Sequence, residues 1–205
     1  MFDLTDAELL AGPVLDCPGG GASFAAEARA LGADVISVDP LYATPAAELA
    51  ERTLRDTDRS SEFIRENLER YVWTFFRSRE HHLGHRRGGA QIFARDIVEH
   101  PELYVAAELP DLPFDDRRFA LALSSHLLFT YADRLDFDFH VAALTELARV
   151  AREVRAYPLV DYGAHPYPRM TTLRERLWQR GIDSEIRRVP YEFQRGADEM
   201  LVVRD

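Results

Sequence analysis

The chain has 205 residues, of which 46% are hydrophobic, and this composition predicts a single α/β domain with one sizeable core. No apolar run of about 18 residues is present to span a membrane, and the N-terminus lacks the basic-then-apolar pattern of a signal peptide. The single cysteine, Cys17, excludes an intrachain disulfide. We therefore expect a cytoplasmic protein. The formal net charge of −10 argues against extended contact with nucleic acid phosphates.

The N-terminal part of the chain predicts alternating helices and strands. A short helix is expected at residues 4–11, where the spacing fits a capping box. An apolar strand follows at 13–17, a helix of strong helix formers at 22–32, and a second buried strand at 34–39. A strand, helix and strand joined by short loops predict a parallel pair with a right-handed crossover.

Residues 41–100 interrupt this alternation. Two helices are predicted first, over 44–56 and 60–78, and the second places apolar side chains on one face at helical spacing. A polar loop at 77–89 is expected to precede a third helix at 90–100. We therefore predict one domain with a helical insertion after the second strand.

The alternation resumes in the second half of the chain. The predicted elements are strands at 102–108 and 119–125, a helix at about 139–151, a strand at 153–160, a helix at 169–181, and strands at 184–193 and 199–205. The last two strands are joined by a turn and predict an antiparallel hairpin.

Three consecutive glycines, Gly19, Gly20 and Gly21, lie between the first strand and its helix. Glycines at such a turn let a ligand approach the backbone, and the helix N-terminus offers unpaired N–H groups. Asp39 ends the second strand about 20 residues later, where a carboxylate can accept hydrogen bonds from both hydroxyls of a ribose. These features fit either a dinucleotide or another adenosyl ligand.

Two details favour an adenosyl ligand that carries an ammonium group. The dinucleotide fingerprint G-x-G-x-x-G would place its third glycine at Phe24, which is a bulky aromatic residue. Asp16, directly before the glycines, would repel a diphosphate but suits an ammonium group. The alternative is a glycine-rich turn that binds nothing.

The stretch around the glycines resembles the nucleotide-binding half of class I S-adenosylmethionine-dependent methyltransferases. Their first motif runs acid-x-Gly-x-Gly-x-Gly, and their second strand ends in an acid that holds the ribose. On this match Asp16 is the motif acid, Gly20 the middle glycine and Asp39 the ribose acid. The first and last family glycines fall on Pro18 and Ala22, and these departures affect cofactor contact, since proline lacks an N–H and alanine adds a methyl group.

The resemblance continues at residues 106–129, which are similar to the passage from the third to the fourth strand of the family. It implies that Glu108 lies beside the adenine and that the backbone of Leu109 faces it. Ser124 and His126 fall at the end of the fourth strand, where the reacting centre lies in the family. The resemblance covers about residues 10–40 and 103–205. The cofactor-binding residues it implies are Asp16, Gly19, Gly20, Gly21, Asp39, Pro40, Leu41, Glu108, Leu109 and Ser124.

His126 is the candidate general base, which is needed only if the acceptor must lose a proton. The alternative is a histidine that is hydrogen-bonded to the backbone at a strand end. Tyr131 and Asp133 could instead shape the acceptor site. Asp136 and Asp138 are interpreted as carboxylates that complement the start of a helix.

A histidine-rich segment, His81, His82 and His85, suggests a metal site because two of its members are four residues apart. Gly84 interrupts the run and no nearby carboxylate other than Glu80 completes a site, so we predict no metal. A solvated basic loop, or arginines that attract an anionic acceptor, is favoured instead. The arginines concerned are Arg77, Arg79, Arg86 and Arg87.

Two further motifs receive structural interpretations. Residues 39–42, Asp-Pro-Leu-Tyr, mimic the D-P-P-Y signature of enzymes that methylate amino groups of nucleic acids, but they follow the second strand rather than the fourth. The aromatic stretch from Phe63 to Phe76 is interpreted as core or lid packing rather than as a base-stacking surface.

The predicted fold is a three-layer α/β sandwich with a mainly parallel, seven-stranded Rossmann-like sheet and an antiparallel C-terminal strand. The predicted function is S-adenosylmethionine-dependent methyl transfer to a small-molecule acceptor, with residues 41–100 as a lid over the carboxyl ends of the strands. A second hypothesis is a non-catalytic protein, a sensor or partner subunit, that binds S-adenosylmethionine or S-adenosylhomocysteine. A third, a dinucleotide-dependent oxidoreductase, is opposed by the glycine spacing. Oligomeric state is left open.

Overall fold

One seven-stranded sheet runs through the protein in the computed structural model, which describes the backbone of all 205 residues and the side chains of all except 58 and 60–63. Its strands are β1 (Val14–Asp16), β2 (Val35–Val38), β3 (Tyr104–Val105), β4 (Phe119–Ser125), β5 (Ala151–Tyr157), β6 (Asp183–Arg188) and β7 (Glu199–Arg204). The spatial order is β3-β2-β1-β4-β5-β7-β6. All neighbouring pairs are parallel except those of β7, which is antiparallel to β5 and to β6. The predicted fold class is therefore confirmed.

Six α-helices surround the sheet. They are α1 (Asp6–Leu9), α2 (Phe24–Ala30), α3 (Ala46–Glu66), α4 (Arg79–Glu99), α5 (Phe137–Val150) and α6 (Met170–Trp178). The predicted capping box at α1 is present between Thr5 and Glu8. Asp136 caps α5 by accepting a hydrogen bond from the backbone of Phe139 at 2.8 Å, as expected for a helix-start carboxylate. None of the helices in the described residues has both the length and the apolar character needed to cross a bilayer.

Alternate side chains of the central strands enter two cores on opposite faces of the sheet. On one face, Ala122 of β4 packs with α5 and α6, for example with Leu144 and Leu173. On the other face, Leu123 of β4 packs with α1 and α2, for example with Ala25. A strand buried on both faces is apolar throughout, which is why the sequence signal for β4 was a continuous apolar run.

The connection between β2 and β3 differs from the prediction in its helix boundaries. The two helices expected over 44–56 and 60–78 are one helix, α3, which continues through the polar stretch and ends at Glu66. At the centre of that helix the hydroxyl of Thr57 donates to the carbonyl of Thr53 at 2.9 Å, so a polar residue is satisfied without leaving the helix.

Residues 79–89 of the predicted polar loop at 77–89 lie inside α4, so that prediction was wrong. Ser78 caps this helix by accepting a hydrogen bond from the backbone of His81 at 3.1 Å. Arginine has good helix propensity, and the glycines of this segment cost the helix stability without breaking it. Polarity alone therefore does not distinguish a solvated helix from a loop.

Residues 71–78, which were predicted to be helical, instead lie against the connection between β6 and β7. The backbone N–H of Val72 donates to the carbonyl of Phe193 at 2.7 Å, and that of Arg195 donates to the carbonyl of Arg70 at 2.8 Å. These pairings satisfy backbone groups that a helix would otherwise satisfy. The tertiary contact therefore determines where α3 ends.

The helix α4 serves as the crossover that parallel neighbours such as β2 and β3 require. Leu49 of α3, Phe93 and Ile97 of α4, and Tyr104 of β3 form a third apolar cluster. Polar contacts strengthen this attachment, since Asp96 of α4 forms an ion pair with Arg29 of α2 and accepts a hydrogen bond from the Tyr104 hydroxyl. The segment 41–100 is thus packed onto the edge of the sheet.

Replacing Asp96 with alanine should lower the free energy of unfolding by about 2–3 kcal/mol, because it leaves the largely buried Arg29 guanidinium without its counter-ion. Replacing Asp56, whose ion pair with Arg52 is exposed on α3, should cost less than about 0.5 kcal/mol. Urea unfolding of both variants measures the difference. Equal effects would show that the Asp96 contact does not attach α4 to the sheet.

Candidate functional site

The glycine loop lies over the carboxyl ends of three adjacent strands. Asp16, the last residue of β1, is level with Ser37 of β2 and with Leu123 of β4. The backbone N–H of Gly19 donates to the carbonyl of Val38 at 2.9 Å, which holds the loop against β2. The strand order reverses between β1 and β4, and this is the point at which open α/β sheets bind ligands.

Asp39 links the glycine loop to the turn that follows β2. Its Oδ2 accepts a hydrogen bond from the backbone N–H of Gly20, and its Oδ1 accepts one from Leu41, each at 2.9 Å. Burial raises the pKa of Asp39, while these two hydrogen bonds oppose the shift. Each carboxylate oxygen has a second lone pair, so Asp39 retains the capacity to accept hydrogen bonds from a ligand.

Asp16 is buried beside Ser37, whose hydroxyl donates to Asp16 Oδ2 at 2.9 Å. Burial raises the pKa of Asp16 to about 7; the Ser37 hydrogen bond lowers it, and the negative charge of Asp39 raises it further. Among the described residues, the other oxygen of Asp16 receives no hydrogen bond. A buried carboxylate with a vacant acceptor position suits a cationic hydrogen-bond donor.

Protein side chains occupy the space beside two of the three glycines. A Cβ atom at Gly19 would lie 1.8 Å from the Ser37 hydroxyl oxygen and 2.4 Å from that of Tyr42, and one at Gly21 would lie 2.6 Å from Thr53 Cγ2. Gly20 has a φ of +53°, in the left-handed region that favours glycine. Glycine is therefore needed at all three positions for the loop itself, at two of them by packing and at one by its backbone conformation.

Sequence reasoning missed Ser37 and Tyr42 as parts of this loop. The Tyr42 hydroxyl donates to the carbonyl of Gly20 at 2.9 Å and lies 3.1 Å from the Ser37 hydroxyl. Tyr42 is the last residue of the Asp-Pro-Leu-Tyr motif, which forms the turn capped by Asp39. That motif is thus part of the loop. The position of Tyr42 three residues after Asp39 is the sequence signal that could have identified it.

The residues expected to contact the adenine have different environments. Leu109 is buried in the same apolar cluster as Val38 and Cys17, whereas the side chain of Glu108 is exposed. The backbone N–H of Asp111 donates to the carbonyl of Glu108 at 3.0 Å and closes this turn. Pro40 and Leu41 lie in the turn after Asp39. This turn and Leu109, which packs in the same cluster as Val38, both lie next to the carboxyl end of β2.

Ser124 is buried at the end of β4, and its hydroxyl has no hydrogen-bond partner among the described residues. Buried hydroxyls are normally satisfied, so this one is an exception, and it lies below the surface at the carboxyl end of β4.

His126 follows β4 with a φ of +53°, a conformation that is uncommon for a residue with a side chain. Its backbone N–H donates to the carbonyl of Tyr157 at 2.8 Å, and its Nδ1 lies 2.7 Å from the Ser125 hydroxyl. Desolvation, and after it the positive charges of Arg86 and the N-terminus, lower the pKa of His126, but the residue is exposed at the end of β4, so solvent limits this shift. An imidazole whose pKa is lowered is mainly neutral at pH 7.

The three histidines of α4 point in two directions. The Nε2 atoms of His81 and His85 lie 3.1 Å apart on the surface. His82 is buried, with its ring stacked on Phe193 at a centroid distance of 4.5 Å. Within the part of the chain whose side chains are described, no three His, Cys, Asp or Glu side chains are grouped so that they could hold a metal ion.

An arc of aromatic rings connects the segment 71–78 to the end of β4. Consecutive centroids are 4.9 Å apart from Phe76 to Phe75, 5.2 Å from Phe75 to Tyr191, 6.1 Å from Tyr191 to Tyr157, and 5.7 Å from Tyr157 to His126. The Phe63 side chain of the predicted aromatic helix lies outside the described residues.

Tyr131 and Asp133, the other residues expected near an acceptor, lie in the loop after β4. The Tyr162 hydroxyl donates to the Tyr131 hydroxyl at 2.7 Å, which joins this loop to the one after β5. Asp133 is exposed, 3.8 Å from the Arg134 guanidinium. Of this pair, only Tyr131 connects two loops at the carboxyl edge of the sheet.

No family model matches this chain. It is 26% identical over its full 205 residues to the uncharacterized protein MJ0045 of Methanocaldococcus jannaschii, of which the match covers 90%. Its structure is similar to that of PH1948 from Pyrococcus horikoshii, described as a candidate RNA methyltransferase, with a TM-score of 0.50 and 10% identity over 97% of this chain and 80% of that one. The pyocyanin biosynthetic protein PhzM gives a TM-score of 0.46 and 12% identity over 96% of this chain and 51% of its own. The strand order and the likeness to PH1948 show that the chain has the Rossmann-like fold of methyltransferases.

Proposed function

We propose that this protein is an S-adenosylmethionine-dependent methyltransferase that acts on a small-molecule acceptor. The observation that carries the proposal is the pair of buried acids, Asp16 and Asp39, at the carboxyl ends of adjacent strands and joined through the glycine loop. Two buried carboxylates close to each other destabilise the protein unless a ligand compensates for them. The fold supports the same conclusion.

The residues present fit the cofactor. The vacant oxygen of Asp16 suits the ammonium group, the remaining lone pairs of Asp39 suit the ribose hydroxyls, and the apolar Leu109 suits the adenine. Pro40, Leu41, Glu108 and Ser124 flank the same edge of the sheet. When bound, S-adenosylmethionine supplies an electrophilic methyl group on a sulfonium; the residues of the chain bind it, orient it toward the end of β4 and exclude water.

The helices α3 and α4 are proposed to roof this site. Thr53 of α3 lies against Gly21, and Gly89 of α4 approaches Ser23 so closely that a Cβ atom there would lie 3.1 Å from the Ser23 hydroxyl oxygen. Both helices therefore touch the loop and the start of α2 directly. A roof of this kind encloses a small acceptor better than a polymer, and the net charge of −10 also disfavours RNA.

The non-catalytic alternative was motivated by Pro18 and Ala22 in the loop and by the lack of a decisive catalytic signature in the sequence. Pro18 has no backbone N–H, but the loop does not need one at this position for its hydrogen bonds to β2. Gly19 and Gly20 supply the two N–H groups that donate to Val38 and Asp39. The comparisons give that alternative no support.

Calorimetric titration should show micromolar binding of S-adenosylmethionine and S-adenosylhomocysteine and no binding of NAD. Both adenosyl ligands should bind about tenfold more weakly at pH 6 than at pH 8, because the ammonium group requires ionised Asp16 and the pKa of this carboxyl in the free protein is about 7. Binding should release a proton at pH 6, which appears as a dependence of the enthalpy on the ionisation heat of the buffer. Affinity for NAD alone, or no affinity for any of the three, would overturn the proposed function.

A further inference from the structure

The strand β6 forms one edge of the sheet, and its outer side has no strand partner among the described strands. The ladder with β7 determines which of its backbone groups point outward. The N–H of Val189, directly after β6, donates to the carbonyl of Asp198 at 2.8 Å, so the residues two, four and six positions earlier bond to β7 as well. The backbone groups of Ser184, Ile186 and Arg188 therefore point away from the sheet.

Two side-chain contacts agree with this direction. The N–H of Ser184 donates to Asp183 Oδ1 at 2.8 Å, and its carbonyl accepts a hydrogen bond from Arg174 Nη2 at 2.7 Å. The chain thus covers the outward groups of Ser184 with its own side chains. Ile186 lies at the centre of the remaining edge, and outward N–H and carbonyl groups of this kind are a template for a further strand.

The charged side chains of β6 change sign along the strand. Asp183 and Glu185 come first, and Arg187 and Arg188 come last. An edge strand with charges of one sign repels its own copy, which is a common protection against pairing. Under a two-fold axis, by contrast, the acidic half of this strand meets the basic half of a second copy. The edge is therefore complementary in charge to itself.

Backbone direction and charge together select one antiparallel register for such a pair. Outward groups bond only to outward groups, so the two-fold axis must pass through a residue and not between two residues. With Ile186 on the axis, Glu185 lies opposite Arg187 of the second copy and Ile186 lies opposite itself. Every other centre within β6 puts like charges opposite each other, namely a centre at Asp183, Ser184, Glu185, Arg187 or Arg188.

The same register brings apolar surface together on the α6 side of the edge. Ile186 pairs with Leu201 of β7, whose side chain lies in the core beneath α5 and α6, so both point to that face. Ile186 is 39% exposed, and Trp178 at the end of α6 is 70% exposed. Pairing at Ile186 therefore covers apolar surface that one chain leaves in water.

A groove beside this surface suits an arginine from the second copy. It has a volume of about 420 Å³, lies between α6 and β6, and is lined by Glu175, Trp178 and Ser184 among others. In the selected register, Arg188 of the second copy lies opposite Ser184 on the same face. Its guanidinium then meets a carboxylate and an indole ring, both of which attract it.

We propose that the protein forms a two-fold symmetric dimer in which β6 pairs antiparallel with β6 of a second copy, centred on Ile186. The two sheets continue into each other, and the side-chain hydrogen bonds at Ser184 are exchanged for backbone bonds to Arg188 of the second copy. The proposal is independent of the methyltransferase function, because β5 and β7 separate this edge from the candidate site at β1, β2 and β4.

Sedimentation equilibrium of the full chain tests the interface. The wild type should dimerise reversibly within a concentration range of about 1–200 µM. Glu185→Arg and Arg187→Glu each put like charges opposite each other, so each should raise the dissociation constant of the dimer about tenfold or more. An equimolar mixture of the two variants should dimerise again, because each acid then meets an arginine. Effects within one chain cannot produce this rescue. Glu102→Arg, exposed next to β3 at the other edge, is the matched control and should dimerise like the wild type.

Cysteine cross-linking tests the register. The natural cysteine, Cys17, is buried, so an introduced cysteine at the edge is the accessible one. A hydrogen-bonded antiparallel pair has its Cα atoms about 5.5 Å apart, within the range for a disulfide, so Ile186→Cys should form an intermolecular disulfide on mild oxidation. Ser184→Cys and Arg188→Cys are the controls and should not, because each lies about 14 Å from its own copy along the strand.

Three results would overturn the proposal. The first is a wild-type chain that stays monomeric at about 200 µM. The second is a dimer whose dissociation constant is the same in Glu185→Arg, Arg187→Glu and Glu102→Arg, since another surface would then form it. The third is cross-linking at equal rates from positions 184, 186 and 188, which would indicate random collision rather than a fixed strand pair.

Discussion

Replacing Asp16 with asparagine should make the protein more stable at pH 8 by about 2–4 kcal/mol and at the same time remove its affinity for S-adenosylmethionine. The carboxyl group is buried, and its pKa rises from 3.8 to about 7 in the folded protein. At pH 8 the folded protein therefore holds a buried charge that the unfolded chain exposes to water. Asparagine has the same shape and can still accept the Ser37 hydrogen bond, but it carries no charge.

The size of this gain in stability depends on pH. Because the folded pKa lies above the unfolded one, the wild-type carboxyl contributes its stability when protonated and loses it as the pH rises from about 4 to 7. The advantage of Asp16→Asn should be full above pH 7 and absent near pH 4. Urea unfolding at pH 8, 6 and 4 measures it, with Asp34→Asn as a control for an exposed aspartate at the start of β2.

A gain in stability combined with a loss of binding would show that Asp16 is kept for a ligand rather than for folding. If Asp16→Asn were less stable than the wild type at pH 8, the charged carboxylate would be stabilising the loop, and the cationic ligand assigned to it would lose its main support.

Replacing Asp39 with alanine should weaken the binding of S-adenosylmethionine and S-adenosylhomocysteine about a hundredfold or more. The substitution removes the acceptor assigned to two ribose hydroxyls and leaves the backbone N–H groups of Gly20 and Leu41 without their partner. Calorimetry at pH 8 measures the affinity. The affinity of Asp39→Asn should lie between those of the wild type and of Asp39→Ala, because the amide retains one acceptor oxygen but carries no charge.

A folding defect and a binding defect can be separated in this experiment. The glycine loop of Asp39→Ala loses one hydrogen bond from Gly20, so the thermal midpoint should fall modestly while the transition stays cooperative. An unchanged affinity in a folded Asp39→Ala protein would mean that the whole motif, including Asp16 and the glycines, has been assigned in the wrong register.

Local signals in the sequence were sufficient for the fold. The capping box at Thr5, the apolar run of β4 and the hairpin at the C-terminus each depend on residues that are neighbours in the chain, and each was predicted correctly. The positions of the two acids of the candidate site are local as well, because Asp16 ends β1 and Asp39 directly follows β2. Parallel strands bring such residues to one edge of the sheet without further information.

The boundaries of α3 and α4 and the partners within the site were decided by tertiary structure. The helix α3 ends where it does because residues 70–72 pair with residues 193–195, more than a hundred positions away. Sequence pattern placed the three glycines beside a ligand, whereas packing shows that Ser37, Tyr42 and Thr53 occupy the space at two of them. Local propensity cannot express such contacts, since their strength depends on which distant residues the completed sheet brings together. Local sequence pattern was therefore enough to predict the sheet and the strand ends at which the candidate site lies, whereas the row of aromatic rings that reaches His126 from the segment 71–78 depends on the completed tertiary structure.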